Sequence, residues 1–160
     1  YIVVGFILGS IFGVQMFNLA MTAINDGATA ESITQMAVDA TRTSGWVSLI
    51  TLTILAYPGM ALWIKRSHDR DTGPNLIYAL YGLMALSYLL QGLGMTMSVN
   101  EINGVSFASP NTIGWILSLA TGILGLYLLV TLGFLKGTDG PNQYGPDPLG
   151  GGGAAGTEAA

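Results

Sequence analysis

The stretch TIGWILSLATGILGLYLLVTLGFL, residues 112–135, contains no Asp, Glu, Lys, Arg or His. About 20 consecutive apolar residues suffice for a helix to cross the hydrocarbon core of a bilayer. Stretches 2–24, 45–64 and 76–97 have the same charge-free, apolar character. Their residues are continuously apolar and do not alternate, which excludes a membrane β-barrel. The predicted fold is therefore an all-α membrane protein, a four-transmembrane-helix bundle over residues 1–136.

The composition favours the same class and excludes others. Hydrophobic residues make up 51% of the 160 residues and charged residues 9%, whereas soluble domains are about 25% charged. Five basic residues and a net charge of −4 argue against nucleic-acid binding, which needs clustered Lys and Arg. The chain has no cysteine, which excludes disulfides and thiolate chemistry. Ion-coupled transport is disfavoured because the predicted spans contain no ionisable residue.

Basic residues near the span ends predict the orientation. Lys65, Arg66 and Arg70 lie between the second and third spans, and Lys136 follows the fourth. The opposite side has only Arg42. The loop between the second and third spans, and both termini, are therefore predicted to be cytoplasmic.

The two outer loops differ in pattern. In residues 26–44, Thr29 is a possible helix cap, Glu31 stands in the first turn, and apolar residues recur at helical spacing. This pattern suggests a short surface helix, and an ordinary loop is the equally weighted alternative. Residues 98–111, the second outer loop, are polar, contain Gly104 and Pro110, and show no strong period.

Small residues and amides stand out within the spans. Small residues at helical spacing let helix backbones approach closely in lipid. The predicted helix-packing positions are Gly5, Gly9, Gly13, Gly122 and Gly125. Packing within the bundle and contact with another chain both remain open for them. The intramembrane amides Gln15, Asn18 and Gln91 are expected to form interhelical hydrogen bonds, with the lining of a solute path as the alternative.

The predicted cytoplasmic loop, residues 65–73 (KRSHDRDTG), concentrates the polar groups of the chain and is called the signature loop below. One His with two neighbouring carboxylates is weak support for a metal site. Acid–base catalysis would lack a nucleophile or a second cluster. No catalytic residue, metal or cofactor is therefore predicted. The favoured interpretation is a tight turn in which Asp69 and Asp71 pair with Arg66 and Arg70, and basic groups, Lys65 included, contact lipid head groups.

Two strings of this sequence resemble a known family. The string running from Arg66 to Gly73 resembles the R-x-H-D-x-x-x-G signature of the domain-of-unknown-function family eight hundred and five, whose members are small bacterial inner-membrane proteins. Its candidate positions are Arg66, His68, Asp69, Arg70 and Gly73. Residues 137–148, the closing segment, are similar to that family's closing signature, G-x-x-G-x-N-x-Y/F-G-P-D-P. The matching positions are Gly137, Gly140, Asn142, Tyr144, Gly145, Pro146, Asp147 and Pro148. The resemblance implies a multi-pass protein of the bacterial inner membrane and no defined activity.

The closing segment is dense in residues that form turns. Pro146 and Pro148 prevent a helix, so we expect the segment to fold back beneath the bundle and dock on the signature loop. Asp147 is expected near Arg66 or Arg70. The Gly/Ala-rich tail, residues 149–160, cannot bury enough surface to order itself, and is expected to run over a partner.

The leading functional hypothesis is a non-catalytic accessory or assembly subunit of a larger inner-membrane complex, respiratory or photosynthetic. It would bind other integral membrane subunits through its glycine faces and its C-terminal tail. The alternative is a self-contained passive transporter or channel for a small solute. An enzyme that uses the cluster around His68 is the least favoured.

Overall fold

The computed structural model describes residues 14, 18, 21–137, 140 and 142–145, and these are mostly helical. Residues 21–25 are helical and precede a turn at residues 26–27. The elements that follow are α1 (Ala30–His68), α2 (Asn75–Gly92), β1 (Met97–Ile102), β2 (Val105–Pro110), α3 (Thr112–Leu128) and a π-helical turn (Leu129–Phe134).

Helix α1 is a single helix of 39 residues, about 58 Å long at 1.5 Å per residue. The Thr29 hydroxyl accepts a hydrogen bond from Ser32 N at 3.3 Å and caps its first turn, as the sequence suggested. The helix suggested within residues 26–44 is therefore present, but it is continuous with the predicted span at residues 45–64 and is not a separate surface helix. Gly45 does not interrupt the helix, because its backbone is packed against a neighbouring helix, as described below.

Two of the described helices, Ala30–His68 and Thr112–Phe134, are long and apolar enough to cross a membrane, and 11% of the apolar window of each is buried. Helix α2 has 18 residues and ends five residues before the predicted limit at Met97. The chain turns at Gly94, whose φ is +78°, and Met97 already belongs to β1.

Strands β1 and β2 form an antiparallel hairpin, so the all-α prediction needs a correction. The two central residues of its turn, Asn103 and Gly104, have φ values of +53° and +78°. Asn-Gly suits this geometry because both residues tolerate positive φ, and the resulting tight turn matches the twist of the flanking strands. The predicted outer loop over residues 98–111, in which the sequence shows no strong period, therefore contains two paired strands.

The hairpin is attached to the first part of α1. The Thr34 hydroxyl, in a residue that is 5% exposed, donates a hydrogen bond to the Ser106 carbonyl at 2.9 Å. The edge of β2 is therefore held along α1, outside the charge-free stretch that begins at Gly45.

A small apolar core joins α2 to the helix that runs from Thr112 to Phe134. Ile77 and Leu80 pack with Leu128 and Leu132, and all four are buried. Trp63 of α1 is partly buried against this cluster. The core therefore lies at the end of the bundle where the signature loop begins.

At the other end, α1 and α2 touch backbone to backbone. A Cβ atom on Gly45 would lie 2.9 Å from the Gln91 carbonyl carbon and closer still to Gly92 N. The Trp46 ring covers Gly92. The Gln91 amide donates a hydrogen bond to the Ser44 hydroxyl at 3.3 Å, so the interhelical bond predicted for this amide is confirmed.

Replacement of Gly45 by Ala should separate the two helices. Overpacking of this kind costs about 1–3 kcal/mol, and we expect a loss of that order in the free energy of unfolding in detergent. Gly82→Ala is the matched control, because a Cβ at Gly82 meets nothing within 4 Å. If both variants unfold alike, the backbone contact at Gly45 does not stabilise the fold.

Candidate functional site at the signature loop

The signature loop folds onto the C-terminal end of α1. The Ser67 carbonyl accepts hydrogen bonds from the backbone N–H and the hydroxyl of Thr72, both at 2.9 Å. Ser67 is 2% exposed, and its own hydroxyl donates to the Ile64 carbonyl. Asp71 takes a φ of +56°. The loop is therefore a compact turn, as the sequence predicted, and α2 begins soon after it, at Asn75.

Two arginines tie this loop to the end of the last helical segment. Arg66 donates from Nε to the Leu132 carbonyl at 3.0 Å and from Nη2 to the Leu135 carbonyl at 3.3 Å. Arg70 donates from Nη1 to the Lys136 carbonyl at 2.8 Å. The last carbonyls of a helix lack partners within the helix, and the guanidinium groups supply them. The predicted pairing of these arginines with Asp71 is replaced by bonds to main-chain carbonyls.

The closing segment docks on the same loop. Asn142 Nδ2 donates to the His68 carbonyl at 2.9 Å. The backbone N–H of Gln143 donates to Asp71 Oδ1 at 3.2 Å, and Gln143 Nε2 to the Asp71 carbonyl at 3.4 Å. The segment turns tightly here, since Asn142 and Gly145 exchange backbone hydrogen bonds of 3.0 and 3.1 Å.

A ring stack completes the contact. The His68 and Tyr144 rings lie with centroids 3.8 Å apart and planes inclined by 8°. Gly73 lies beside the Tyr144 hydroxyl, and Gly137 lies against the Asp69 carbonyl, which would be 2.9 Å from a Cβ there. We call the contacts of Asn142, Gln143 and Tyr144 with His68 and Asp71 the latch.

A family model described as "Protein of unknown function (DUF805)" matches residues 1–146. The chain belongs to DUF805. No curated protein and no solved structure matches it. The match includes the signature loop and residues 137–146 of the closing segment, so the latch lies within the part of the chain that the DUF805 model covers.

The chemistry of this DUF805 site is that of attachment. Its side-chain donors and acceptors bind main-chain groups of other segments, so that three segments of the sequence are joined. Among the described residues, no group of three or more His, Cys, Asp or Glu could hold a metal ion. What the geometry can do is fix the position of the closing segment relative to α1.

The remaining predicted positions are placed as follows. Gly140 and Gly145 have positive φ values of 90° and 151°. A Cβ at Gly122 would meet nothing within 4 Å, and one at Gly125 would meet only a Leu80 methyl group at 4.0 Å. The predicted positions outside the described residues are Gly5, Gly9, Gly13, Pro146, Asp147 and Pro148. The contact of Asp147 with the arginines therefore stays a prediction.

Sequence reasoning missed the structural roles of three positions. Asp71 and Gln143 occupy variable places in the family strings, yet they form two of the latch hydrogen bonds. The sequence indicated Asp71 only as a partner of the arginines, and nothing in its residue type indicated Gln143. Gly45 was also missed as a packing position, although small residues such as glycine are typical of close contacts between membrane helices.

The His68–Tyr144 stack should be measurable as a coupling energy. We expect a double-mutant cycle with His68→Ala and Tyr144→Ala to give a coupling of about 0.5–1.5 kcal/mol in the free energy of unfolding. Tyr144→Phe keeps the ring and serves as the control, with a loss well below that of Tyr144→Ala. Additive effects of the two alanines would show that the stack contributes nothing.

Proposed function

We propose that this DUF805 protein is a non-catalytic accessory or assembly subunit of a larger bacterial inner-membrane complex, respiratory or photosynthetic. Open helix faces would contact lipid and neighbouring subunits within the bilayer. The latch would hold the closing segment in a fixed position on the cytoplasmic face, where the following residues can reach a partner. The observation that carries the proposal is the latch, because it attaches the closing segment to the signature loop at the proposed cytoplasmic end.

The apolar surface of the helices supports a membrane setting. Ile54 and Tyr57 of α1 are 69% and 84% exposed, and Ile123 of α3 is 68% exposed. The core helix of a soluble protein would be mostly buried, whereas here 11% of each apolar window is buried. Lipid tails or other apolar helices would cover such faces at no cost in hydration.

The proposal includes all four spans predicted from the sequence. Helix α2, at about 27 Å, is close to the thickness of the hydrocarbon core. It contacts α1 and α3, which belong to the two helices that are long and apolar enough to cross a membrane. Most of the first predicted stretch, residues 2–24, lies outside the described residues. With four spans, Lys65, Arg66, Arg70 and Lys136 lie on one side, which the bias of Lys and Arg towards the cytoplasm makes the inner side.

The contact surface within the bilayer would include Gly122. Its Cβ position is open, and Ser118 lies one turn before it on the exposed side of α3. Small residues spaced by four give a flat face on which another helix can pack closely. In contrast, Gly45 and Gly92 are already used within the chain.

One observation favours a subunit over the alternative of a passive transporter. Gln91, one of the three amides available to line a solute path, is hydrogen-bonded to Ser44 across the α1–α2 contact. This bond gives the amide a role in the packing of two helices, which accounts for its presence in an apolar span without a solute path.

The proposed orientation is testable because the chain has no cysteine. Glu101→Cys in the hairpin should react with an impermeant maleimide on intact spheroplasts. Asn75→Cys at the start of α2 should react only after the membrane is opened. Both residues are exposed, so access to the reagent decides the result, and a reversed pattern would overturn the proposed topology.

Gentle extraction tests the subunit proposal. The full chain, tagged and produced at native level, should migrate in digitonin on a native gel far above its own 16.7 kDa, together with other membrane proteins. Gly122→Leu should weaken this co-migration, since Leu fills the flat face. Ile123→Leu is the matched control, because it keeps a bulky side chain at the neighbouring exposed position.

Tyr144→Ala, compared with Tyr144→Phe, tests the contribution of the latch in the same gel. We expect only the alanine variant to lose part of the co-migration. If the wild-type chain migrates alone as a small homo-oligomer, the subunit proposal fails and the transporter becomes the better account.

A further inference from the structure

A groove of about 500 Å³ lies between the hairpin and the start of α3. Its lining residues are Ser98, Asn100, Ser109, Pro110, Asn111, Thr112, Trp115, Ile116 and Leu119. The volume falls in the range of about 300–1,000 Å³ that small-molecule sites occupy. In the proposed topology, this groove opens at the outer boundary of the bilayer.

The lining changes character along the groove. The hairpin end supplies Ser98, Asn100 and Ser109, which share one face of the sheet because directly opposed residues and their second neighbours point the same way. The α3 end supplies Ile116 and Leu119, which are 61% and 58% exposed and lie within the charge-free stretch. The groove is therefore polar away from the bilayer and apolar towards it.

The polar end is uncharged. No Asp, Glu, Lys, Arg or His lines the groove, so it offers no countercharge to a phosphate or an ammonium group. Hydroxyl and amide groups each donate and accept hydrogen bonds, which matches sugar hydroxyls. Trp115 stands between the polar and apolar ends and is 57% exposed. An indole in this place can pack against the C–H face of a sugar ring while remaining at the interface.

The walls of the groove are held firmly. Asn111 donates from Nδ2 to the Met95 carbonyl at 2.9 Å and accepts from Gly114 N at 3.0 Å. Gly114 lies directly against the Thr96 carbonyl. Across the strands, Asn100 Nδ2 donates to the Ser109 hydroxyl at 2.7 Å. The hairpin and α3 therefore keep a fixed spacing, and the groove exists before a ligand arrives.

We propose that this groove binds an uncharged glycolipid, with the sugar at Ser98, Asn100 and Ser109 and an acyl chain along Ile116 and Leu119. The inference rests on the membrane-spanning placement of α3 in the proposed function. It adds a ligand class and a site that neither the latch nor the open glycine face involves.

Native mass spectrometry of the full chain tests this site. The detergent should be tetraethylene glycol monooctyl ether, because a maltoside would itself offer a sugar head group. Monoglucosyl dioleoylglycerol is titrated beside dioleoyl phosphatidylcholine and dioleoylglycerol. We expect the glucolipid to bind about tenfold or more tightly than the other two, a ratio that corresponds to one good added interaction.

Three variants locate the site. Trp115→Leu and Ser98→Val should each bring glucolipid binding down to the level of phosphatidylcholine. Tyr127→Leu, at an exposed aromatic of the same helix outside the groove, should leave it unchanged. A reduction in all three variants would indicate a general loss of folded protein, and near-UV circular dichroism of each variant checks for this.

The outcomes separate the proposals. Equal binding of the three lipids, or an unchanged preference in Trp115→Leu, would overturn the glycolipid site. Binding of free methyl glucoside as tightly as the glucolipid would also overturn it, because the acyl chain would then contribute nothing. These titrations use the isolated chain, so they are independent of whether the protein co-migrates with a complex.

Discussion

The packing of α1 against α2 depends on the backbone contact between Gly45 and Gly92. Few large apolar side chains are buried among the described residues, namely Leu52, Ile77, Leu80, Leu128 and Leu132. Apolar helices in lipid gain little from hiding apolar surface, since the surrounding chains are equally apolar. Close approach and hydrogen bonds must decide the packing instead. The missing side chain at Gly45 permits that approach, Trp46 covers Gly92, and Ser44 accepts from Gln91.

Because α1 is one continuous helix, this contact also affects the position of the elements bound at its two ends. Towards its N-terminus, α1 carries Thr34 to the Ser106 carbonyl and so positions the hairpin. Towards its C-terminus, it carries Arg66 to the carbonyls at the end of the last helical segment. The groove and the latch lie at opposite ends of the bundle, yet both depend on where the crossing at Gly45 places this one helix.

The helical stretches could be predicted from the sequence because long apolar runs without charged residues are easily recognised in it. The last run, residues 112–135, agrees closely with the observed Thr112–Phe134. The end of α2 was misjudged because Leu93, Met95 and Met97 prolong the apolar run while the backbone turns at Gly94. A hydropathy pattern gives no information on backbone angles, so it does not show where the helix ends. The hairpin did have a signal, Asn103–Gly104 between alternating apolar residues, which the polar composition of the loop obscured.

The site was predictable in position more than in detail. The two family strings were expected to meet because they lie on the same side of the predicted spans, and Asn142, Gln143 and Tyr144 do contact the signature loop. The partners of the arginines were not predictable from charge. A guanidinium group has five donors in a fixed plane, so it can bind several main-chain carbonyls wherever the fold places unpaired ones beside it. Which carbonyls are unpaired depends on the π-helical turn at Leu129–Phe134. The residue types in this stretch do not predict such a turn.

The contacts of His68 indicate how binding at the closing segment would affect the C-terminal end of α1. Asn142 bonds to the main chain of His68 while Tyr144 stacks on its side chain, so this last residue of α1 is held at two points. The preceding turn of α1 is held by Arg66 to a different segment. A partner that displaced the closing segment would therefore release the end of α1 on one side only, and Arg66 would still join it to the last helical segment. The two attachments involve different residues, and the latch is open to solvent at Gln143 and Tyr144, which are both exposed.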